Sequence, residues 1–217
     1  MNTLITSSTI VVLLSLMFSG VQAQHQAAAD KAPRIQPLPM SQMQESWLKT
    51  LDKLPGAGLK GLYSPVNVFG TLQHNPETYG AFLEYWVTSK LEMGLTPREQ
   101  ELVILRMGYH YKCNYVWKHH VPVGKEFGIT DAELVAVKTT PLPALFSQRE
   151  SALLHLTDEM VESRNVSDET WNKWSKELKD SEKIDLISLV SQYVFFALLN
   201  NVIRVEVEEP LGVIPGL

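Results

Sequence analysis

At 217 residues, with 45% hydrophobic and 20% charged side chains, the chain has the size and composition of one globular domain with a buried core. Its net charge of −5, with no Lys/Arg-rich run, argues against nucleic acid as a partner. A single cysteine excludes an intramolecular disulfide.

Residues 1–23 carry no charged side chain, and Ile10 to Phe18 is a nearly unbroken apolar run followed by Ser19-Gly20-Val21-Gln22-Ala23. The run is short for a bilayer span, and Val21 and Ala23 stand at the minus-three and minus-one positions of a cleavage site. Segment 1–23 is therefore expected to be a signal peptide cut after Ala23. That implies a secreted or periplasmic protein with no membrane attachment after cleavage. A retained anchor is the alternative, because the segment lacks a basic start. Residues 24–44, rich in Ala, Gln and Pro, read as a flexible lead-in.

The remainder is punctuated as helices. Pro55 to Gly61 is Gly-rich but lacks the Gly-Lys-Ser/Thr ending of a phosphate loop, and reads as a turn. Asn75-Pro76 supplies an N-cap and a first-turn proline, opening a helix to about Leu91. Thr96-Pro97-Arg98-Glu99 is a capping box that starts a helix to about Tyr111, and Thr130/Glu133 and Ser147/Glu150 form two more boxes. Ser167-Asp168-Glu169 begins a further helix with acids near its positive end. From about Glu182 to Val202 the sequence is so apolar that a helix buried nearly all round is expected, often against another subunit. Only Val205 to Val207 suggests a short extended stretch. The fold class is all-α.

Candidate chemistry concentrates between Glu99 and Asp131, where Cys113 lies twelve residues after Glu101 and seven before His120. Seven residues make two helical turns, so a helix through Cys113 puts Val116, Trp117 and His120 on its face. Glu101 has Ile104 and Leu105 as helical neighbours, which predicts a partly desolvated carboxylate with a raised pKa, suited to proton transfer. The alternative is one more solvated charge. Cys113 falls near a helix start, where the dipole lowers a thiol pKa; the alternative is a buried structural cysteine. His120 is placed to take the thiol proton or to polarise a substrate. Tyr115 and His119 flank this line and Trp117 and Phe127 supply apolar surface, so Tyr115, Trp117 and His119 are expected substrate contacts. His119, rotated by about 100° from His120, is expected at an edge or an interface. His110, Cys113, His119 and His120 match no zinc spacing, and no metal or other cofactor is expected.

Laid out in this way, the chain resembles the carboxymuconolactone decarboxylase superfamily, which includes the AhpD-like alkyl hydroperoxidases. The resemblance is carried by Leu95-Thr96-Pro97-Arg98-Glu99 through Asp131 and extends more weakly from about Pro65 to the last helix, making 45–217 one domain. Redox members carry a Glu, then Cys-x-x-Cys-x-x-x-His, in an all-helical fold that assembles as trimers or hexamers. Glu101, Cys113 and His120 match that glutamate, first cysteine and histidine. The pattern of Tyr115, Trp117, His119-His120 and Pro122 is similar to a single-cysteine subgroup. Val116 stands where the second cysteine would be, so a local dithiol cycle is excluded.

The resemblance implies an AhpD-like homotrimer or homohexamer acting on a small molecule. The first expectation is thiol-dependent peroxidase chemistry of the peroxiredoxin antioxidant type. Cys113 would be oxidised by a hydroperoxide to sulfenic acid and resolved by an external thiol reductant, with His120 as base and Glu101 as relay. The second is a cofactor-free decarboxylase, lyase or isomerase acting on a small lactone or carboxylic acid through Glu101 and His120. The third is a non-catalytic oligomeric binding protein.

Overall fold

The computed structural model describes residues 32–53 and 66–208. The expected signal segment, residues 24–31 of the lead-in and the Gly-rich stretch 55–61 lie outside the described residues. Among those described, nine α-helices and two 3-10 turns form and no strand does, so Val205 to Val207 joins no sheet. The helices are α1 (Glu45–Leu51), α2 (Val66–Leu72), α3 (Pro76–Glu92), α4 (Pro97–His110), α5 (Asn114–Glu126), α6 (Asp131–Ala136), α7 (Gln148–Ser163), α8 (Asp168–Trp174) and α9 (Asp180–Ile203).

The starts follow from local chemistry. Asn75 accepts from the Thr78 N–H at 3.4 Å and Pro76 opens α3. Thr96/Glu99, Thr130/Glu133 and Ser147/Glu150 close reciprocal capping boxes on α4, α6 and α7. Each box satisfies N–H groups the helix leaves unpaired, stabilising it by ~1 kcal/mol. Arg98 then binds Glu133 and Glu150 together, tying the starts of these three helices to one another.

α4 is the central helix. Every residue from Glu99 to Gly108 is buried, and it packs against α5, α7 and α9. Val103, Ile104 and Met107 enter the larger apolar cluster with Trp47, Phe69, Trp86, Leu189 and Phe196. Leu102 and Leu105 enter a smaller one with Trp117, Val121, Ile129 and Leu154. A helix this deep tolerates charge only where each charge is paired. Glu99 meets Arg149 at 2.6 Å, Arg106 meets Asp158 at 2.5 Å, and Glu101 meets both Lys90 and His120. Arg106 also donates to the Val137 and Thr139 carbonyls at 2.6 and 2.9 Å, fixing the chain beyond α6.

Within one chain α9 is buried on one face only, and the expected cover from another subunit concerns the other face. In the single chain it buries Leu186, Leu189, Val190, Tyr193 and Phe196 but presents Ile184, Ile187, Leu198 and Val202 to solvent. Its apolar residues occupy both sides of the helix, whereas the domain covers one. Within the lead-in, residues 32–44 lie against the domain. The Leu38 N–H donates to the Gly70 carbonyl at 3.0 Å and the Arg34 N–H to the Ile203 carbonyl at 2.7 Å. A Cβ on Gly70 would overlap the Leu38 carbonyl oxygen, so glycine is what allows this close approach to α2.

Candidate active site

α2, α3, α4, α5 and α9 line a partly open cavity of about 150 Å³. Val68, Phe69, Trp86, Leu91, Val116, Val123, Phe127 and Phe196 make most of it apolar. Into this wall the helices insert Lys90, Glu101, Tyr115, His119, His120, Tyr193 and Asn200.

Glu101 and His120 meet there, with His120 Nδ1 2.6 Å from Glu101 Oε2. Lys90 Nζ lies 3.3 Å from the other carboxylate oxygen. An ionised carboxylate only accepts, so Nδ1 carries the proton and Nε2 keeps its lone pair. The Tyr193 hydroxyl lies 3.1 Å from Nε2 and donates to it. Burial alone would raise the Glu101 pKa, as the sequence suggested. The charges of His120 and Lys90, with their hydrogen bonds, outweigh burial and hold it below the ordinary value of 4.5. For His120 burial wins over the attraction of Glu101, and its pKa falls below 6.5. The resting pair is a carboxylate and a neutral imidazole. Tyr193 is pushed well above 10.0 by burial and by the Glu101 charge, so it remains a phenol.

Cys113 is placed differently from the helix-face expectation. It is the N-cap of α5 rather than a residue inside it, is 1% exposed, and is not part of the cavity wall. Burial pushes its thiol up to about 11, outweighing the backbone N–H groups of Val116 and Tyr115 that favour the thiolate. The expected lowering by the helix start is thus overturned, because desolvation exceeds the dipole. The wall beside His120 is formed by Val116.

Tyr115 and His119 line the cavity, but other groups hold their polar ends. The Tyr115 hydroxyl accepts from the Val68 N–H at 3.2 Å and donates to Glu208 at 2.9 Å. His119 stacks on Tyr115 with centroids 4.1 Å apart and donates Nδ1–H to the Tyr115 carbonyl at 2.8 Å. Its Nε2 faces Glu208 Oε2 at 2.9 Å, close enough for an ion pair but misaligned for a hydrogen bond. Instead of lying at an edge, His119 is buried beside His120. Trp117 lies outside the cavity, in the smaller cluster beneath the Lys138 amine. Lys90, Tyr193, Glu208, Trp86 and Asn200 went unnoticed in the sequence. A phenol in the otherwise apolar run of α9 was the one available signal, at Tyr193.

Residues 76–159 match the model of the carboxymuconolactone decarboxylase family. No curated protein sequence matches the chain. Among solved structures, the alkylhydroperoxidase AhpD core protein of Ralstonia eutropha JMP134, described as uncharacterized and peroxidase-related, superposes with a TM-score of 0.65 at 19% identity, covering 83% of this chain and 96% of its own. The debrominase Bmp8 gives a TM-score of 0.66 at 14% identity over 82% of this chain and 94% of its own. A peroxidase-related protein from Silicibacter sp. TM1040 gives 0.64 at 16% identity over 83% and 92%. At these identities the likeness is one of fold. The segment that matches the carboxymuconolactone decarboxylase family model contains Glu101, Cys113 and His120, and the chain is similar in fold to the AhpD-like proteins.

Proposed function

We propose that the protein is an acid–base enzyme, a lyase or isomerase acting on a small lactone or carboxylic acid, with His120 as its proton-transfer group. The observation that carries this reading is the unprotonated Nε2 of a neutral His120, fixed through Nδ1–H by the Glu101 carboxylate, in the wall of an apolar cavity. A cavity of about 150 Å³ suits a ligand of roughly one small ring. A base of this kind removes a proton from the carbon beside a carbonyl. In a β,γ-unsaturated substrate the C–H electron pair moves into a dienolate with its charge on the carbonyl oxygen, and the imidazolium returns the proton to the γ-carbon as the double bond shifts into conjugation. Glu101 compensates the transient charge on His120, and Tyr193, once displaced from Nε2, can donate to the developing oxygen anion. The thiol-peroxidase alternative lacks this support, since Cys113 is outside the wall and is a neutral thiol near neutral pH.

The test is turnover of a panel of small lactones and unsaturated acids, alongside a hydroperoxide assay with added thiol. Glu101→Gln and His120→Ala are expected to lose at least about a hundredfold in kcat, while Cys113→Ser retains most activity. The acid limb of kcat/KM should fall below pH 6.5, where His120 takes up its proton. Hydroperoxide consumption abolished by Cys113→Ser would overturn the proposal, as would lyase activity that survives both Glu101→Gln and His120→Ala.

A further inference from the structure

The polar groups of the cavity wall are almost all engaged within the protein. Lys90 holds Glu101, His120 is held by Glu101 and Tyr193, and Tyr115 is held by Val68 and Glu208. Three buried atoms of wall residues make no hydrogen bond: His119 Nε2, which faces the Glu208 carboxylate, and two with no charged group opposite, Trp86 Nε1–H, a donor, and Asn200 Oδ1, an acceptor. Trp86 is 7% exposed and Asn200 3%. The Asn200 amide is oriented unambiguously, because its Nδ2 donates to the Phe196 carbonyl at 2.8 Å and leaves Oδ1 as the free end. The Trp86 indole N–H faces the Tyr193 oxygen without completing a hydrogen bond. Buried donors and acceptors left unpaired cost free energy, and such exceptions in a cavity wall are the places where a ligand supplies the missing partner.

We propose that Trp86 Nε1–H and Asn200 Oδ1 are the recognition pair of the cavity, and that the substrate is a neutral lactone carrying a hydroxyl group. The ring carbonyl accepts from Trp86, and the hydroxyl donates to Asn200. Lys90, the ammonium group of the wall, is already bound to Glu101, so a free carboxylate would enter an apolar space with no uncommitted ammonium to receive it. With its carbonyl at Trp86, the lactone brings the adjacent carbon toward Tyr193 and Nε2 of His120. The inference rests on the acid–base reading for the reaction but stands on binding for its test.

The experiment is a ligand-observed NMR titration of the full chain with γ-butyrolactone, its α-hydroxy derivative and cyclopentane, which matches their ring size without polar atoms. The wild type should bind the hydroxylactone about tenfold more tightly than the plain lactone. Asn200→Leu should erase that ratio while leaving the plain lactone unchanged. Trp86→Phe should weaken both lactones about tenfold, with cyclopentane affected much less and thereby reporting that the cavity has formed. Should Trp86→Phe fail to bind cyclopentane, Asn200→Leu alone decides. Equal binding of the two lactones by the wild type, lactone affinities untouched by both substitutions, or binding of neither lactone overturns the inference. The expected binding pattern without turnover overturns only the acid–base reading. His120-dependent turnover with a flat binding pattern overturns only this inference.

Discussion

Cys113 and His120 are both buried, one outside the cavity wall and one in it, and draw opposite consequences from burial. Burial favours the uncharged form of any titratable group. For the thiol this means a pKa of about 11 and a neutral, unreactive sulfur. For the imidazole it means a lowered pKa and the form that acts as a base. One physical effect therefore silences the residue that looked most reactive in the sequence and readies its neighbour. Labelling of native Cys113 by a disulfide reagent should be slow near neutral pH, rising only toward pH 11 or when denaturant exposes the thiol. Rapid labelling of the folded protein at neutral pH would contradict this. The Glu101–His120 pairing was legible because both residue types and their spacing are written locally. The direction of each pKa was not, because desolvation depends on what the rest of the chain packs around the site.

At the scale of elements, the helix starts were the most readable features. A capping box closes within four residues, so Thr96, Thr130 and Ser147 announced α4, α6 and α7 without tertiary information. The face of α5 was harder to read. With Cys113 as N-cap, Val116, His119, His120 and Val123 turn to the cavity, while Trp117 and Val121 turn to the smaller cluster. Partners remote in sequence left no local trace: Tyr193 is 73 residues from His120, and Glu208 is 93 from Tyr115. The buried charges of α4 invite a test of their own. Asp158→Asn leaves Arg106, fully buried, without its counter-charge and takes the same carboxylate from His110. Removing one partner of such a pair should cost about 3 kcal/mol in urea unfolding. A loss below about 1 kcal/mol would show that the carbonyls of Val137 and Thr139 suffice.

The whole molecule should register these pairs as sensitivity to acid. His120, Glu101 and Asp158 have folded-state pKa values below 6.5, 4.5 and 3.8 respectively. In each case the unfolded chain binds the proton more readily than the folded one, so stability is fully present above pH 6.5 and declines as pH falls. His120 contributes the first part of the decline and the carboxylates the part below. Thermal midpoints followed by circular dichroism should therefore fall progressively from about pH 6.5 downward. Midpoints that stay level down to pH 4 would contradict the assignment. The all-α class was legible from caps and apolar periodicity. The cavity was not, since five helices must assemble before it exists.

Glu208 gathers three parts of the chain at one carboxylate: the Asn67 N–H at 2.6 Å, the Tyr115 hydroxyl at 2.9 Å and, facing it, His119. The bond to Asn67 closes a separation of 141 residues. Closing so long a loop costs entropy that only an already folded intervening chain has reduced. In the order of events during folding, this corner of the cavity is a late arrival. On a ribosome, a nascent chain must be extended past residue 208 before Tyr115 and His119 are locked into the wall, so the site is completed only after α9 has been made.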